Sequence, residues 1–289
     1  MIKHLQLQAP SALAYFEALV AEDQGFALLE AAICVAQDEH PTLDPQAVVA
    51  DLDRLAARLL ARLPADATPL RRLRALNQYF FVELAFAGNV NNYYDRSNSY
   101  LHEVLATRRG IPITLALVYM ELAGQLGLVA RGVSFPGHFL VKFSMPEGEV
   151  VVDPVNGRSL SRDELDERLL PFRAGMGLAG DFETPLGLFL QTAPPRDVLA
   201  RLLMNLKEIH RAAEDWPRLL AVMQRLVLLL PNAPEQRRDR GLTWAELGRP
   251  VEAVADLAAY LALRPGADDA RALAERLTEL RRNDTPWLH

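Results

Sequence analysis

The chain has 289 residues, of which half are hydrophobic and 24% are charged, as is usual for a globular protein. Acidic residues outnumber basic ones, 37 to 31, and no run of about 18 apolar residues occurs, so the composition predicts neither a nucleic-acid-binding surface nor a membrane span. The first residues do not have the pattern of a secretory signal, and the single cysteine, Cys34, excludes an internal disulfide. We therefore expect a cytoplasmic protein.

The first third of the sequence predicts helices. Apolar residues recur at helical spacing and are interrupted by prolines, which predicts a helical N-terminal region over residues 1–92. The last of its helices is predicted to run from about Arg71 to Phe86. After a polar, aromatic loop, a short helix is predicted over residues 99–107, with Ser97 or Asn98 as its N-cap.

A central segment combines one buried helix with three strands. Residues 112–127 predict a helix that is apolar on all sides and is therefore buried. Gly127 is expected to end it, since glycine is common just after the last helical residue. Three strands are predicted to follow, at residues 129–135, 138–144 and 149–153.

The last two of these strands predict a hairpin. If its loop consists of residues 145–148, then Ser144 pairs with Glu149. In that register His138 and Asp153 lie on the same face of the sheet, with roughly 7–8 Å between their backbones. An imidazole and a carboxylate can meet across this distance, and the prediction depends on the register.

An internal repeat begins after the Pro194-Pro195 pair. Pro231 and Pro265 lie 34 residues apart, which is the period of a tetratricopeptide repeat. The second copy has suitable residues where the two antiparallel helices of such a repeat approach each other, namely Gly241, Trp244, Ala253, Leu257 and Pro265. The first copy is degenerate, with Lys207 in place of the glycine and Leu219 in place of the alanine. Ordinary helical hairpins with a chance period are the alternative interpretation.

Several motifs together resemble the SirB family of bacterial proteins, in which a transglutaminase-like domain precedes tetratricopeptide repeats. The matching stretches are Asp95–Ser99, Arg109–Leu115, Gly127-Leu128, Pro136–Val141, and Asp153-Pro154 with Asn156-Gly157. The resemblance implies an α+β fold with a papain-like or transglutaminase-like core, containing an antiparallel sheet, over residues 93–193. It also implies helical hairpins of the tetratricopeptide type over residues 194–289. It implies no established activity.

The same resemblance indicates a missing nucleophile. Active transglutaminase-like domains have Gly-x-Cys at the start of the central helix and an alanine four residues after the cysteine. The corresponding residues in this sequence are Gly110, Pro112 and Ala116. Proline has neither a nucleophilic atom nor an amide N–H. His138 and Asp153 match the catalytic base and the residue that orients it, but we expect them to be a vestigial pair and expect no catalytic residue.

The residues expected to line the candidate cleft have structural alternatives. This cleft is predicted to contain Asp95, Asn98, Arg109, Thr114, His138 and Asp153. Thr114 is a candidate nucleophile, although its hydroxyl is more typical of a helix cap or of a bond to the helix backbone. Asn98 can be a helix cap, and Asp153 can simply end a strand before a proline. His138 can be a hydrogen-bonded residue that holds the hairpin to the loop at residues 95–98.

Metal and cofactor chemistry has little support in the sequence. His138, Asp153, Asp95 and His102 offer mixed ligands, but none of them has the spacing of a metal-binding motif. Cys34 lies in an apolar helical segment, where a small buried cysteine is usual. Glycine-rich phosphate-binding loops are absent from the sequence. We therefore expect neither a metal nor a cofactor.

Two functions are consistent with these patterns. The first is a non-catalytic interaction or regulatory protein, whose repeats bind a protein or peptide partner on a concave surface. The second is an amide or peptide hydrolase, or an acyl transferase, that uses His138 and Asp153 with a non-cysteine nucleophile or an activated water. A hydroxyl within bonding distance of the imidazole would favour the enzyme. A cleft filled by Ile111, Ile113 and Phe139 would oppose it.

Overall fold

The computed structural model describes residues 10–22, 25–175 and 185–283. The chain forms two compact units. The core unit contains the described residues within 27–36 and 43–202, and the repeat unit contains those within 1–26, 37–42 and 203–289. Helices with a small amount of sheet make up the described part of the chain, which confirms the predicted α+β class. None of the described helices is long and apolar enough to cross a lipid bilayer.

Most of the described residues belong to helices. In chain order the α-helices are α1 (Ala12–Leu19), α2 (Leu28–Cys34), α3 (Pro45–Leu60), α4 (Pro69–Asn77), α5 (Leu101–Thr107), α6 (Pro112–Gln125), α7 (Arg162–Gly175), α8 (Leu186–Phe189), α9 (Pro195–Ala212), α10 (Trp216–Leu229), α11 (Pro234–Glu246), α12 (Pro250–Leu263) and α13 (Ala270–Asn283). Two segments are 3-10 helices, Val35–Asp38 and Arg96–Ser99, and one is a π-helix, Gln78–Glu83.

The helix predicted from about Arg71 to Phe86 is divided in the structure. α4 ends at Asn77 and continues as the π-helix. The wider turn is visible where the N–H of Leu84 donates to the carbonyl of Tyr79, five residues back, at 2.8 Å. Ala85 then adopts a positive φ of 56°, which ends the helix.

The predicted cap of the 99–107 helix was wrong. α5 begins at Leu101 with Tyr100 at its N-cap position, and no side chain caps it. Ser97 and Asn98 instead belong to the short 3-10 helix, which is capped by Asp95. The carboxylate of Asp95 reaches the backbone two residues ahead, and this local bond competes with a longer helix.

α6 is the centre of the core unit, as its sequence predicts. Residues 113–119 are all buried, and the helix packs on α3, α4 and α5. Gly127 ends it with a positive φ of 72°. The N–H of Leu128 then donates to the carbonyl of Ala123 at 3.0 Å, which is the bond expected when a glycine closes a helix.

A three-stranded antiparallel sheet covers one side of α6. Its strands are β3 (Val129–Val133), β4 (Leu140–Met145) and β5 (Gly148–Val152), after a short parallel pair formed by β1 (Ala87–Gly88) and β2 (Arg109–Gly110). Ser144 pairs with Glu149, so the predicted hairpin register is confirmed. β4 begins two residues later than predicted, because Gly137 turns the chain with a φ of 68° and the N–H of His138 closes the turn on the carbonyl of Phe135 at 3.0 Å.

The other face of the sheet packs on α7 and α8. Its apolar cluster consists of Val133, Phe135, Leu140, Val151, Leu160, Leu165, Leu169 and Leu186. The 14-residue helix α7 begins directly after Ser161. A capping box explains its start: the Ser161 hydroxyl accepts from the N–H of Glu164, and the Glu164 carboxylate accepts from the N–H of Ser161 at 2.8 Å.

Helices α9 to α13 include the antiparallel pairs expected of the repeat. A Cβ on Gly241 would lie 2.9 Å from Cγ of Leu257, so only glycine allows this approach of α11 to α12. Ala253 and Leu257 are fully buried at the same interface. In the degenerate first copy Lys207 replaces the glycine, and its ammonium group forms an ion pair with Asp239.

The compact units differ from the predicted boundaries at residues 92 and 193. Helices α2, α3 and α4 belong to the core unit, where Arg72 of α4 donates a 2.7 Å hydrogen bond to the carbonyl of Leu126. α1 belongs to the repeat unit, where Phe16 lies under the guanidinium of Arg225 on α10. The hydrophobic pattern of a helix predicts its buried face but not the neighbour that covers it.

Candidate functional site

The start of α6 is formed by Pro112 and Thr114. Pro112 is the first helical residue, at the position where the resemblance places a thiol. Thr114 is fully buried. Its hydroxyl donates to the carbonyl of Asn98 at 2.7 Å and accepts from the N–H of Ile111 at 3.1 Å. Because its proton and a lone pair are both bound to backbone groups, Thr114 stabilises the helix start and is not placed to act as a nucleophile.

Asn98 organises the loop that precedes α5. Its side chain is buried, with 2% of the residue exposed. The amide nitrogen donates to the carbonyls of Asn92 at 2.7 Å and Tyr93 at 3.3 Å, and the amide oxygen accepts from Asn89 at 3.0 Å. These bonds satisfy a buried amide, so the residue has a structural role in the loop.

Asp95 and Arg109 also bind the backbone around them. Asp95 accepts from the N–H of Ser97 at 2.9 Å, and this hydrogen bond lowers the pKa of Asp95 below its ordinary value. Arg109 donates to the carbonyl of Ala85 at 2.6 Å. The described contacts join none of the four candidates Asp95, Asn98, Arg109 and Thr114 to His138 or Asp153.

His138 and Asp153 meet, as the hairpin register predicts. His138 lies in the turn before β4 and Asp153 directly follows β5. Nε2 of the imidazole is 2.9 Å from Oδ1 of the carboxylate, and the two side chains are 24% and 5% exposed. When neutral His138 donates its Nε2–H to Asp153, Nδ1 carries the lone pair. This is the relation of a general base to the carboxylate that orients it.

The surroundings of Asp153 favour its charged form. Burial raises the pKa of this carboxyl, but the hydrogen bond and charge of His138, the N–H of Val155 and the guanidinium of Arg168 together outweigh burial and lower the pKa below its ordinary value. Asp153 is therefore ionised at neutral pH and can hold the ring of His138 in one orientation.

Two arginines at this site are not indicated by any sequence motif. Nη1 of Arg168, on α7, is 3.4 Å from Oδ2 of Asp153. Arg201, on α9, donates to the carbonyl of His138 at 2.8 Å and to the hydroxyl of Ser134 at 2.8 Å, which fixes the turn that carries the imidazole. Arg201 is 63 residues from His138 along the chain. Sequence reasoning missed both residues, because only the folded structure brings them to the pair.

Three apolar residues that adjoin Pro112 and His138 in the sequence belong to the packed core. Ile111, Ile113 and Phe139 are 2%, 4% and 1% exposed. The ring of Phe139 lies so close to Gly132 that a Cβ there would be 2.6 Å from its Cζ. These side chains therefore pack in the interior of the core unit.

Exposed aromatic side chains lie on the loop before the Asp95 turn. Val90, Tyr93 and Tyr94 are 86%, 46% and 78% exposed. The two tyrosine rings pack edge to face with centroids 5.3 Å apart. Exposed apolar groups of this kind are typical of interaction surfaces.

The other candidate ligands and nucleophiles lie elsewhere. Cys34 is fully buried in α2. His102, on α5, has its Nε2 3.5 Å from a carboxylate oxygen of Glu103. Within the described residues, no third histidine, cysteine, aspartate or glutamate joins His138 and Asp153 in a group that could hold a metal ion.

Comparison with family models finds two matches, which cover successive parts of the chain. A model of the transglutaminase-like superfamily matches residues 46–204, and a model of the tetratricopeptide repeat matches residues 206–278. The first match begins in α3, which agrees with the place of that helix in the core unit. No solved structure matches the chain.

Bacterial relatives match over most of their length. The UPF0162 protein of Xylella fastidiosa strain Temecula1 is 37% identical over 264 residues, which is 90% of this chain and 92% of that protein. The UPF0162 protein of Pseudomonas aeruginosa is 31% identical over 91% of this chain and 94% of its own. Human F-box only protein 21 is 44% identical over 71 residues, which is 25% of this chain and 11% of that protein. The chain therefore belongs to the transglutaminase-like superfamily and, with these bacterial relatives, to the UPF0162 family.

Proposed function

We propose that this chain is a non-catalytic interaction or regulatory protein, built on a degenerate transglutaminase-like core with a protein-binding tetratricopeptide tail. The observation that carries the proposal is the start of α6. Pro112 occupies the nucleophile position, and the hydroxyl of Thr114 is buried and bound to the carbonyl of Asn98. A covalent acyl-transfer mechanism needs a thiol or hydroxyl within reach of its base.

In this proposal the pair of His138 and Asp153 has a structural role. The carboxylate connects the turn before β4 to the end of β5 through the imidazole, and it also accepts from the N–H of Val155 at 3.1 Å. Arg201 holds the same turn through its carbonyl. Hydrogen bonds of this kind make the local structure rigid. We infer that the loop with the exposed rings of Tyr93 and Tyr94 is a separate docking surface.

The repeat unit supplies a second place for a partner. A cavity of about 310 Å³ lies between α9, α10 and α11. Its apolar wall is formed by Trp216, Leu219, Met223 and Leu242. Charged groups of both signs surround it, among them Arg211 and Glu246. We infer that this cavity receives an apolar side chain of a peptide segment from a partner, because repeats of this type commonly use the surface between their helices for binding.

The proposal predicts that an exposed residue of this cavity controls partner binding. Leu242 is 37% exposed and lines the cavity. Leu242→Asp places a charge in the apolar wall, so we expect the variant to lose at least about tenfold in partner affinity. The measurement is affinity capture from a bacterial lysate with the full chain, with bound proteins quantified by mass spectrometry.

Val251→Asp is the matched control for this capture. Val251 is 61% exposed on α12, and it does not line the cavity. We expect some proteins to be retained by the wild type and by Val251→Asp. The same proteins should be lost with Leu242→Asp. The same protein set with all three chains would remove the cavity from the proposal.

The alternative function is an amide or peptide hydrolase or an acyl transferase. The contact of His138 with Asp153 at 2.9 Å favours it, because this contact leaves Nδ1 as a base. Since no hydroxyl is bonded to the imidazole among the described contacts, the base would have to activate a water molecule. Turnover of glutamine-containing peptides by the wild type, with its loss in His138→Ala, would separate this function from a non-catalytic one.

We also propose that the chain belongs to the SirB family. The motifs from Asp95 to Gly157 support the placement of the chain among the SirB proteins, whose layout of a transglutaminase-like domain followed by tetratricopeptide repeats is the one that this chain has. A cytoplasmic location is proposed from the single cysteine, because low cysteine usage is typical of a reducing compartment.

A further inference from the structure

A cavity in the core unit lies apart from the site of His138. α3 and α5 form its walls, and its volume is about 370 Å³. This volume is within the range of small-molecule sites, roughly 300–1,000 Å³. None of its lining residues belongs to the sheet or to the turn that carries His138.

Positive charge dominates the lining of this cavity. Three guanidinium groups line it, from Arg54, Arg58 and Arg108, together with the imidazole of His102. Asp51 provides its carboxylate, and this group already forms an ion pair with Arg54. The cavity therefore has an excess of donors and of positive charge, which is the lining expected for an anion.

One hydrogen-bond donor of Arg108 has no acceptor among the described residues. Its Nη1 is buried and has no hydrogen-bond partner among the residues that the structure describes. The guanidinium lies over the ring of Phe86, 4.8 Å from the centroid, and burial lowers the pKa of Arg108. Its backbone is left-handed with a φ of 61°, an unfavourable conformation for a residue with a side chain. A buried donor without an acceptor is destabilising. The guanidinium of Arg108, which lines the cavity and forms no ion pair among the described contacts, therefore has donor capacity for an oxyanion.

The same cavity has an apolar side. Val48, Leu55 and Leu105 line it, and they are 6%, 7% and 8% exposed. A bare inorganic anion would leave this side without a partner. An organic group attached to the anion would cover it and remove apolar surface from water.

We propose that the cavity between α3 and α5 binds a small organic phosphate ester. Its phosphate oxygens accept hydrogen bonds from Arg58 and Arg108, and its organic group packs on Val48, Leu55 and Leu105. Arginine suits this ligand, since its planar fork of donors matches the oxygens of a phosphate. The site is independent of the proposed partner-binding function, because it uses none of the residues of the repeat unit.

Calorimetric titration of the full chain with phenyl phosphate tests this proposal. The probe is added at constant ionic strength, and phenol and inorganic phosphate serve as separate ligands. We expect saturable binding of one phenyl phosphate per chain, weaker binding of inorganic phosphate and none of phenol. Arg58→Gln and Arg108→Gln should each weaken phenyl phosphate binding by about tenfold or more.

Arg271→Gln is the control for a general loss of positive charge. Arg271 lies on α13 with a side chain that is 91% exposed, so this variant should bind as the wild type does. Arg58 is an exposed residue, so its variant tests the site even if Arg108→Gln fails to fold. No saturable binding, or equal weakening by Arg58→Gln and Arg271→Gln, would overturn the proposal.

Discussion

Replacement of Asp38 by asparagine is expected to lower the free energy of unfolding of the repeat unit by about 3 kcal/mol. The reason is Arg225 of α10, whose side chain is 1% exposed and forms an ion pair with Asp38. Nη1 of Arg225 also donates to the carbonyl of Ala221 at 3.2 Å, and the guanidinium lies near the ring of Phe16. Neither contact neutralises its charge, so the variant leaves a buried cation without a carboxylate.

Guanidinium chloride unfolding followed by tryptophan fluorescence measures this effect. Trp216 and Trp244 both belong to the repeat unit, so their emission reports on its unfolding. The double variant Asp38→Asn with Arg225→Met is the control, because methionine fills a similar volume without a charge. We expect it to recover most of the lost stability. An Asp38→Asn variant within about 0.5 kcal/mol of the wild type would show that the pair contributes little.

Replacement of Asp153 by asparagine is expected to destabilise the core unit by about 2 kcal/mol at neutral pH, because a buried, charge-assisted hydrogen bond is lost. The effect should depend on pH. The pKa of Asp153 is lowered in the folded chain, so its contribution is present above the unfolded pKa of about 4 and is lost as the pH falls through the lower folded value. The difference between wild type and variant should therefore shrink below about pH 4.

Amide hydrogen exchange of β4 and β5 gives the local stability for this comparison. Asp66→Asn is a suitable control, because Asp66 is exposed and has no hydrogen bond among the described contacts. It should change exchange by less than the equivalent of about 0.5 kcal/mol. A difference for Asp153→Asn that stays constant down to about pH 2 would contradict the role of the ionised carboxylate.

Local patterns predicted the centre of the core unit well. The apolar sequence of α6, its start at Pro112 and its end near Gly127 all follow from side-chain spacing and from the conformations open to proline and glycine. The hairpin register follows from a short loop. The contact between His138 and Asp153 in turn follows from that register.

Contacts between distant parts of the chain could not be predicted. The packing of α1 on α10 and the contact of Arg201 with the turn of His138 join residues far apart in sequence. The cleft predicted from the sequence did not include Arg201, because Arg201 is 63 residues from His138 along the chain. The side chains of Asn98 and Thr114 donate hydrogen bonds to backbone carbonyls, and no sequence pattern indicates these bonds.

The most direct measurement concerns the chemistry of the core itself. The purified full chain is incubated with a library of glutamine-containing peptides and a primary amine. Mass spectrometry then records cleaved, deamidated and amine-linked products for the wild type and for His138→Ala. We predict no product above the protein-free control for either chain, because Pro112 supplies no nucleophile. Products formed by the wild type and lost in His138→Ala would contradict a non-catalytic core.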